Sequence, residues 1–118
     1  MGRLTTHVLD TAHGRPAAGM AVVLYRLGAD GSALPLRRLT LDADGRAGGP
    51  LLEGANFVPG RYRLVFAVAA YFRAAGTVLP EPPFIDEVPI DFGLADAGGH
   101  YHVPLLVSPW SYGTYRGS

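Results

Sequence analysis

Sixteen glycines and ten prolines interrupt this chain so often that almost no apolar run survives long enough to wind into a helix. Between the breaks lie short stretches rich in Val, Leu, Tyr and Phe. That is the pattern of an all-β sandwich or barrel, whereas a helical bundle needs long uninterrupted periods. About eight strands are expected, near Leu4–Leu9, Met20–Arg26, Leu34–Leu41, Leu51–Leu52, Arg61–Val68, Ile85–Phe92, Tyr101–Val107 and Ser111–Tyr115. One short surface helix is expected over Ala69–Ala75, an alanine-rich stretch stopped by Gly76, where a left-handed cap costs least. Gly28-Ala29-Asp30-Gly31-Ser32 and Asp42-Ala43-Asp44-Gly45 read as turns, and the second sets Arg46 at the entrance of a strand. Pro80-Glu81-Pro82-Pro83 reads as a stiff, extended connector after the helix.

Strand side chains point alternately to opposite faces, so parity alone sorts them into rows. In the seventh expected strand Tyr101, Val103, Leu105 and Val107 form one row and His100, His102, Pro104 and Leu106 the other. The same rule groups Thr5, His7 and Leu9 near the start of the chain. A row that mixes imidazoles with apolar side chains suits an outer face covered by a second copy of the chain, so a homo-oligomer with histidines at an interface is expected.

A chain of 118 residues is expected to form a single domain, 1–118, around one core. Ten arginines, with no lysine, balance ten acidic residues, so no global field recruits nucleic acid or an anionic membrane. The absence of cysteine excludes a disulfide framework, a thiolate nucleophile and a cysteine-based zinc site, and it suits a reducing cytosol. No apolar segment is long enough to span a bilayer, and a cytoplasmic location is expected. Neither a Gly-x-Ser-x-Gly elbow, a P-loop nor a dinucleotide fingerprint is present, so a serine hydrolase or a nucleotide enzyme has little support.

Several side chains allow a bland reading beside a functional one. His7 fits a polar strand position or a site. His100 and His102 could ligate a metal, but no third ligand stands at a helpful spacing, so no metal is expected. His13 reads as a solvated turn residue and Arg46 as a surface charge beside its turn. The chain's last residues, Tyr115-Arg116-Gly117-Ser118, crowd an aromatic ring, a guanidinium and a hydroxyl where termini usually fray.

Three stretches together are similar to one family. His7-Val8-Leu9-Asp10-Thr11-Ala12-His13-Gly14-Arg15-Pro16-Ala17, then Asp44-Gly45-Arg46, then His100 to Ser118 resemble the motifs of the transthyretin-like 5-hydroxyisourate hydrolases. The resemblance spans nearly the whole chain and implies a transthyretin-like sandwich of eight strands with one short helix. It implies catalytic roles for His7, Arg46, His102 and Ser118, and substrate contacts from His7, Arg46, Tyr115, Arg116, Gly117 and Ser118. The chain departs from the family pattern at Val107, Trp110 and Gly113, none of which is a catalytic group.

What the resemblance implies is the opening of 5-hydroxyisourate by water at a ring carbonyl to give 2-oxo-4-hydroxy-4-carboxy-5-ureidoimidazoline, with no cofactor. It also implies a homotetramer, a dimer of dimers, with sites in a central cleft. The competing reading is transthyretin itself, a hormone carrier on the same scaffold. Carriers are similar in strand pattern but have lysine at the His7 position, lack the His102 imidazole and do not end in Tyr-Arg-Gly-Ser. A histidine with a pKa near about 6.5 is substantially neutral at pH 7 and can accept a proton from attacking water, and His102 or His7 supplies that base. Arg46 stays charged and can hold an oxyanion.

Overall fold

The computed structural model describes residues 1–117, and Ser118 lies outside them. Nine strands form: β1 (Arg3–Asp10), β2 (Arg15–Pro16), β3 (Ala21–Leu27), β4 (Ala33–Thr40), β5 (Leu52–Glu53), β6 (Gly60–Ala67), β7 (Glu87–Leu94), β8 (His100–Val107) and β9 (Tyr112–Thr114). Among the described residues one α-helix, α1 (Val68–Ala74), follows β6 directly, and a single 3-10 turn spans Gly54–Asn56. The expected sandwich is present. The strand absent from expectation is β2, two residues long, which is too short to display any alternation.

Two sheets face each other. One has the order β2-β1-β8-β9 with β5 also paired to β1, and the other has the order β4-β3-β6-β7. The second sheet is built from antiparallel neighbours, including the β3–β4 hairpin closed at Gly28–Ser32, where Gly31 takes φ +85° and Asp30 Oδ1 accepts from the Ser32 amide. In the first sheet β1 and β8 run parallel, and Thr5 stands opposite His102 and His7 opposite Pro104. Leu4, Val8, Leu24, Tyr62, Leu64, Phe66, Val103 and Leu105 are among the side chains that fill the space between the sheets. At about 25 cal/mol per Å² this apolar burial is the main term opposing chain entropy.

The helix is not the surface element expected from its alanines. Val68, Ala69, Tyr71 and Phe72 are buried, so one face of α1 belongs to the core. Gly76 ends it as anticipated, with φ +90°, the Gly76 amide on the Arg73 carbonyl and the Thr77 amide on the Phe72 carbonyl, a Schellman closure. Among the described residues no helix is long and apolar enough to cross a membrane.

Candidate active site

Alternation along β1 places Leu4, Thr6, Val8 and Asp10 inward and leaves Arg3, Thr5, His7 and Leu9 on the outer face. On β8 the inward row is Tyr101, Val103, Leu105 and Val107, and the outer row begins His100, His102. Parallel pairing sets the two outer rows side by side, so side chains about a hundred residues apart in sequence become neighbours. Pro104 is already buried within one chain, Leu106 is half-buried, and Leu9 remains 37% exposed.

Arg46 reaches this face through its turn. Asp42 Oδ1 accepts from the Asp44 and Arg46 amides, and the Asp42 and Arg46 backbones also bond at 2.8 Å. Gly45 takes φ +72° and gives its carbonyl to the Val8 amide; a Cβ there would lie 2.5 Å from the Val8 carbonyl oxygen, so only glycine fits. The result is a bridge that sets Arg46 opposite His7.

A recess of about 390 Å³ opens on this surface, lined by Arg3, Thr5, Arg46, His100 and His102 with Ala47, Gly49 and Pro50. Within it the Thr5 hydroxyl lies 2.8 Å from His102 Nδ1 and 3.3 Å from His100 Nε2. Burial holds the His102 pKa below the ordinary imidazole value, and the nearby Arg46, His7 and His100 push in the same direction. A neutral imidazole therefore stands beside a permanent cation, an arrangement that can take a proton from water and hold a negative oxygen. A larger hollow, about 550 Å³, lies along α1 and β2. It is lined mainly by small apolar residues and holds neither imidazole nor carboxylate.

The C-terminal segment divides between two places. Gly117 bridges to His102, its amide donating to the His102 carbonyl at 2.8 Å. Tyr115 and Arg116 instead line a hollow of about 410 Å³ with Tyr101, Val103 and residues of β7. The Arg116 guanidinium sits 4.0 Å above the Tyr101 ring, and Tyr115 is 60% exposed. Within one chain, then, His7, Arg46, His102 and Gly117 come together and Tyr115 does not join them. Ser118 lies outside the described residues.

Gly117 is fixed by sterics and not by backbone angle. A Cβ at this position would lie 2.5 Å from His102 Cδ2 and 3.1 Å from its Cβ and Cγ. Gly117→Ala is expected to turn the His102 ring off Thr5 and lower turnover about 10²-fold, the typical cost of displacing a reacting group by an ångström. Unchanged steady-state kinetics in that variant would show that the ring position is not critical.

Sequence reasoning passed over Arg3 and Thr5 as site residues. Their signal was available, since both share the parity of His7, and two guanidiniums around one recess suit an anionic ligand. His13 is an exposed turn residue, as expected, but its ring is also tied down. Its Nδ1 lies 2.6 Å from Oδ2 of the fully buried Asp10, its side chain is 35% exposed, and its ring packs 6.1 Å from that of Phe72. Asp10 also accepts from the Ala12 and His13 amides and from the Tyr71 hydroxyl. Such a carboxylate anchors the turn after β1 to α1, away from the recess.

The fold and the recess define a small β-sandwich with a histidine–arginine site on the outer face of one sheet. The HIUase/Transthyretin family profile matches residues 4–117, and the chain belongs to that family. Within it the chain groups with enzymes of the hydrolase class. It is 59% identical to 5-hydroxyisourate hydrolase 2 of Rhizobium meliloti (strain 1021) over 117 residues, 99% of this chain and 97% of that protein. The crystal structure of (S)-allantoin synthase superposes with a TM-score of 0.93 at 46% identity over 99% of this chain, which spans 44% of that longer chain. Sea bream transthyretin in complex with thyroxine superposes with a TM-score of 0.84 at 31% identity, over 98% of this chain and 94% of that one. Backbone similarity alone does not separate catalysis from carriage; the side chains in the recess must.

Proposed function

We propose that this protein hydrolyses 5-hydroxyisourate to 2-oxo-4-hydroxy-4-carboxy-5-ureidoimidazoline without a cofactor. The observation that carries the reading is the recess in which His102, held toward its neutral form, faces the charge of Arg46. In the reaction water attacks a ring carbonyl as His102 Nε2 takes its proton, and Arg46 balances the charge that gathers on the carbonyl oxygen. The tetrahedral intermediate collapses with cleavage of the ring C–N bond, and the departing nitrogen receives a proton. We assign His7, whose backbone is bridged to Arg46 and whose ring is near enough to help lower the His102 pKa, to the supply of that proton or to holding the substrate. Ser118 adds its hydroxyl, Gly117 closes the recess beside His102, and Tyr115 and Arg116, which line a separate hollow within one chain, contact the substrate from a neighbouring copy. The reading includes one domain over 1–118, a cytoplasmic homotetramer, and outer faces of the first sheet packed together so that neighbouring copies close each recess. The exposed Leu9 supports that packing.

The deciding experiment follows the decay of 5-hydroxyisourate, freshly made by urate oxidase, through its absorbance with and without the protein. Acceleration well above the spontaneous rate is expected. A rate equal to the blank, together with saturable thyroxine binding, would favour a carrier.

The pH profile carries a sign. Because the His102 pKa is lowered, the neutral base persists below the ordinary imidazole value. The acid limb of kcat/KM is therefore expected to fall at a pH below about 6.5, with activity present above it. A limb centred above that value would assign the base to another group.

A further inference from the structure

Thr5 lies between two imidazoles and has a single proton to give. Its Oγ1 approaches His102 Nδ1 at 2.8 Å and His100 Nε2 at 3.3 Å, and a hydroxyl offers one O–H donor together with two lone pairs. With one proton Thr5 cannot donate to both rings, and if both rings donated to its lone pairs its own O–H would have no acceptor among the described residues; every group is satisfied only when one ring donates to the oxygen and the other accepts from it. Two arrangements meet this condition. In one, His102 donates Nδ1–H to Thr5 and Thr5 donates to His100 Nε2. In the other the order is reversed, and His102 carries its hydrogen on Nε2.

Two features select between them. Nε2 of His102 has no hydrogen-bond partner among the described residues, and the ring shares its recess with the guanidiniums of Arg3 and Arg46, with His7 beside Arg46. An N–H at Nε2 would add a donor to a recess already rich in donors and positive charge. A lone pair there leaves the recess its one unprotonated nitrogen on that ring. We infer that Thr5 is the positioning residue that fixes the tautomer of His102, accepting its Nδ1–H and passing its own proton to His100 Nε2, so that Nε2 faces the recess as an acceptor. The inference rests on His102 as the base in the reaction proposed above. When that base takes a proton, Thr5 remains the acceptor for Nδ1–H and steadies the imidazolium. His100 acts through Thr5 by occupying its proton.

The test reads the tautomer directly. Nitrogen-15 NMR of the histidine rings in the full-length protein, above the pH at which His102 protonates, is expected to show His102 with hydrogen on Nδ1. In Thr5→Val the Nε2–H form is expected to gain population. In His100→Phe, where the Thr5 proton has no other acceptor, the hydroxyl turns to His102 Nδ1 and the ring switches to Nε2–H. Both variants are expected to lose about 10-fold to 10²-fold in kcat with KM changed less than about twofold, and Thr5→Ser to restore both the tautomer and most of the rate. Hydrogen on Nε2 in the unaltered protein, or a tautomer unmoved in both variants, overturns the inference. The NMR result needs no substrate, so a protein inactive on 5-hydroxyisourate would refute the hydrolase reading and leave the tautomer assignment to be judged separately.

Discussion

His102→Ala is expected to lower the turnover of 5-hydroxyisourate at least about 10²-fold, since a positioned acid–base group contributes about 10² to 10⁴ in rate. Arg46→Ala is expected to cost about 3–4 kcal/mol of transition-state stabilisation, the usual effect of removing an oxyanion partner. Neither side chain lies in the core, so both variants should keep the native circular dichroism spectrum and assembly state. Because Arg46 also lowers the His102 pKa, its removal should shift the acid limb of the remaining activity upward. Kinetics on freshly generated substrate decide the matter: near-normal turnover in both variants would remove these two groups from the chemistry.

The second large effect concerns stability. Asp10→Ala strands the Tyr71 hydroxyl and the Ala12 and His13 amides around a buried void, and a loss of about 3–5 kcal/mol is expected from breaking a buried charged network. Burial would raise the Asp10 pKa, but bonds from the His13 backbone and ring and from Tyr71 outweigh it and hold the carboxyl below its ordinary value. A depressed carboxylate stabilises the fold at pH above about 3.9 and ceases to do so as pH falls through its folded-state value. The stability gap between the native protein and Asp10→Asn should therefore narrow in acid. Urea melts across pH would detect this, and a gap independent of pH would mean that shape, not charge, sets the contribution of Asp10.

These two groups show what could be read from the residues alone. His102 was visible because strand alternation is local: the row it shares with His100 follows from counting by two. Arg46 was visible as the residue after a turn. That His7 and Thr5 stand beside β8 was not legible, because the parallel register of β1 and β8 is settled by packing across the whole sandwich. The same reason hid the role of Asp10, whose partners, Tyr71 and the His13 ring, lie outside its own strand. Helix α1 was located by its alanines and its terminal glycine, yet propensity says nothing of which face is covered. The two-residue β2 carries too little pattern to be seen.

The β1–β8 pairing also sets an order of events at the ribosome. Strands β3, β4, β6 and β7 are joined by comparatively local connections and can zip together while synthesis continues. Strand β1, made first, has its long partner almost a hundred residues downstream and must wait. A nascent chain halted before residue 100 would thus lack β8, and with it the recess, and would hold apolar surface open to aggregation until translation has passed β8.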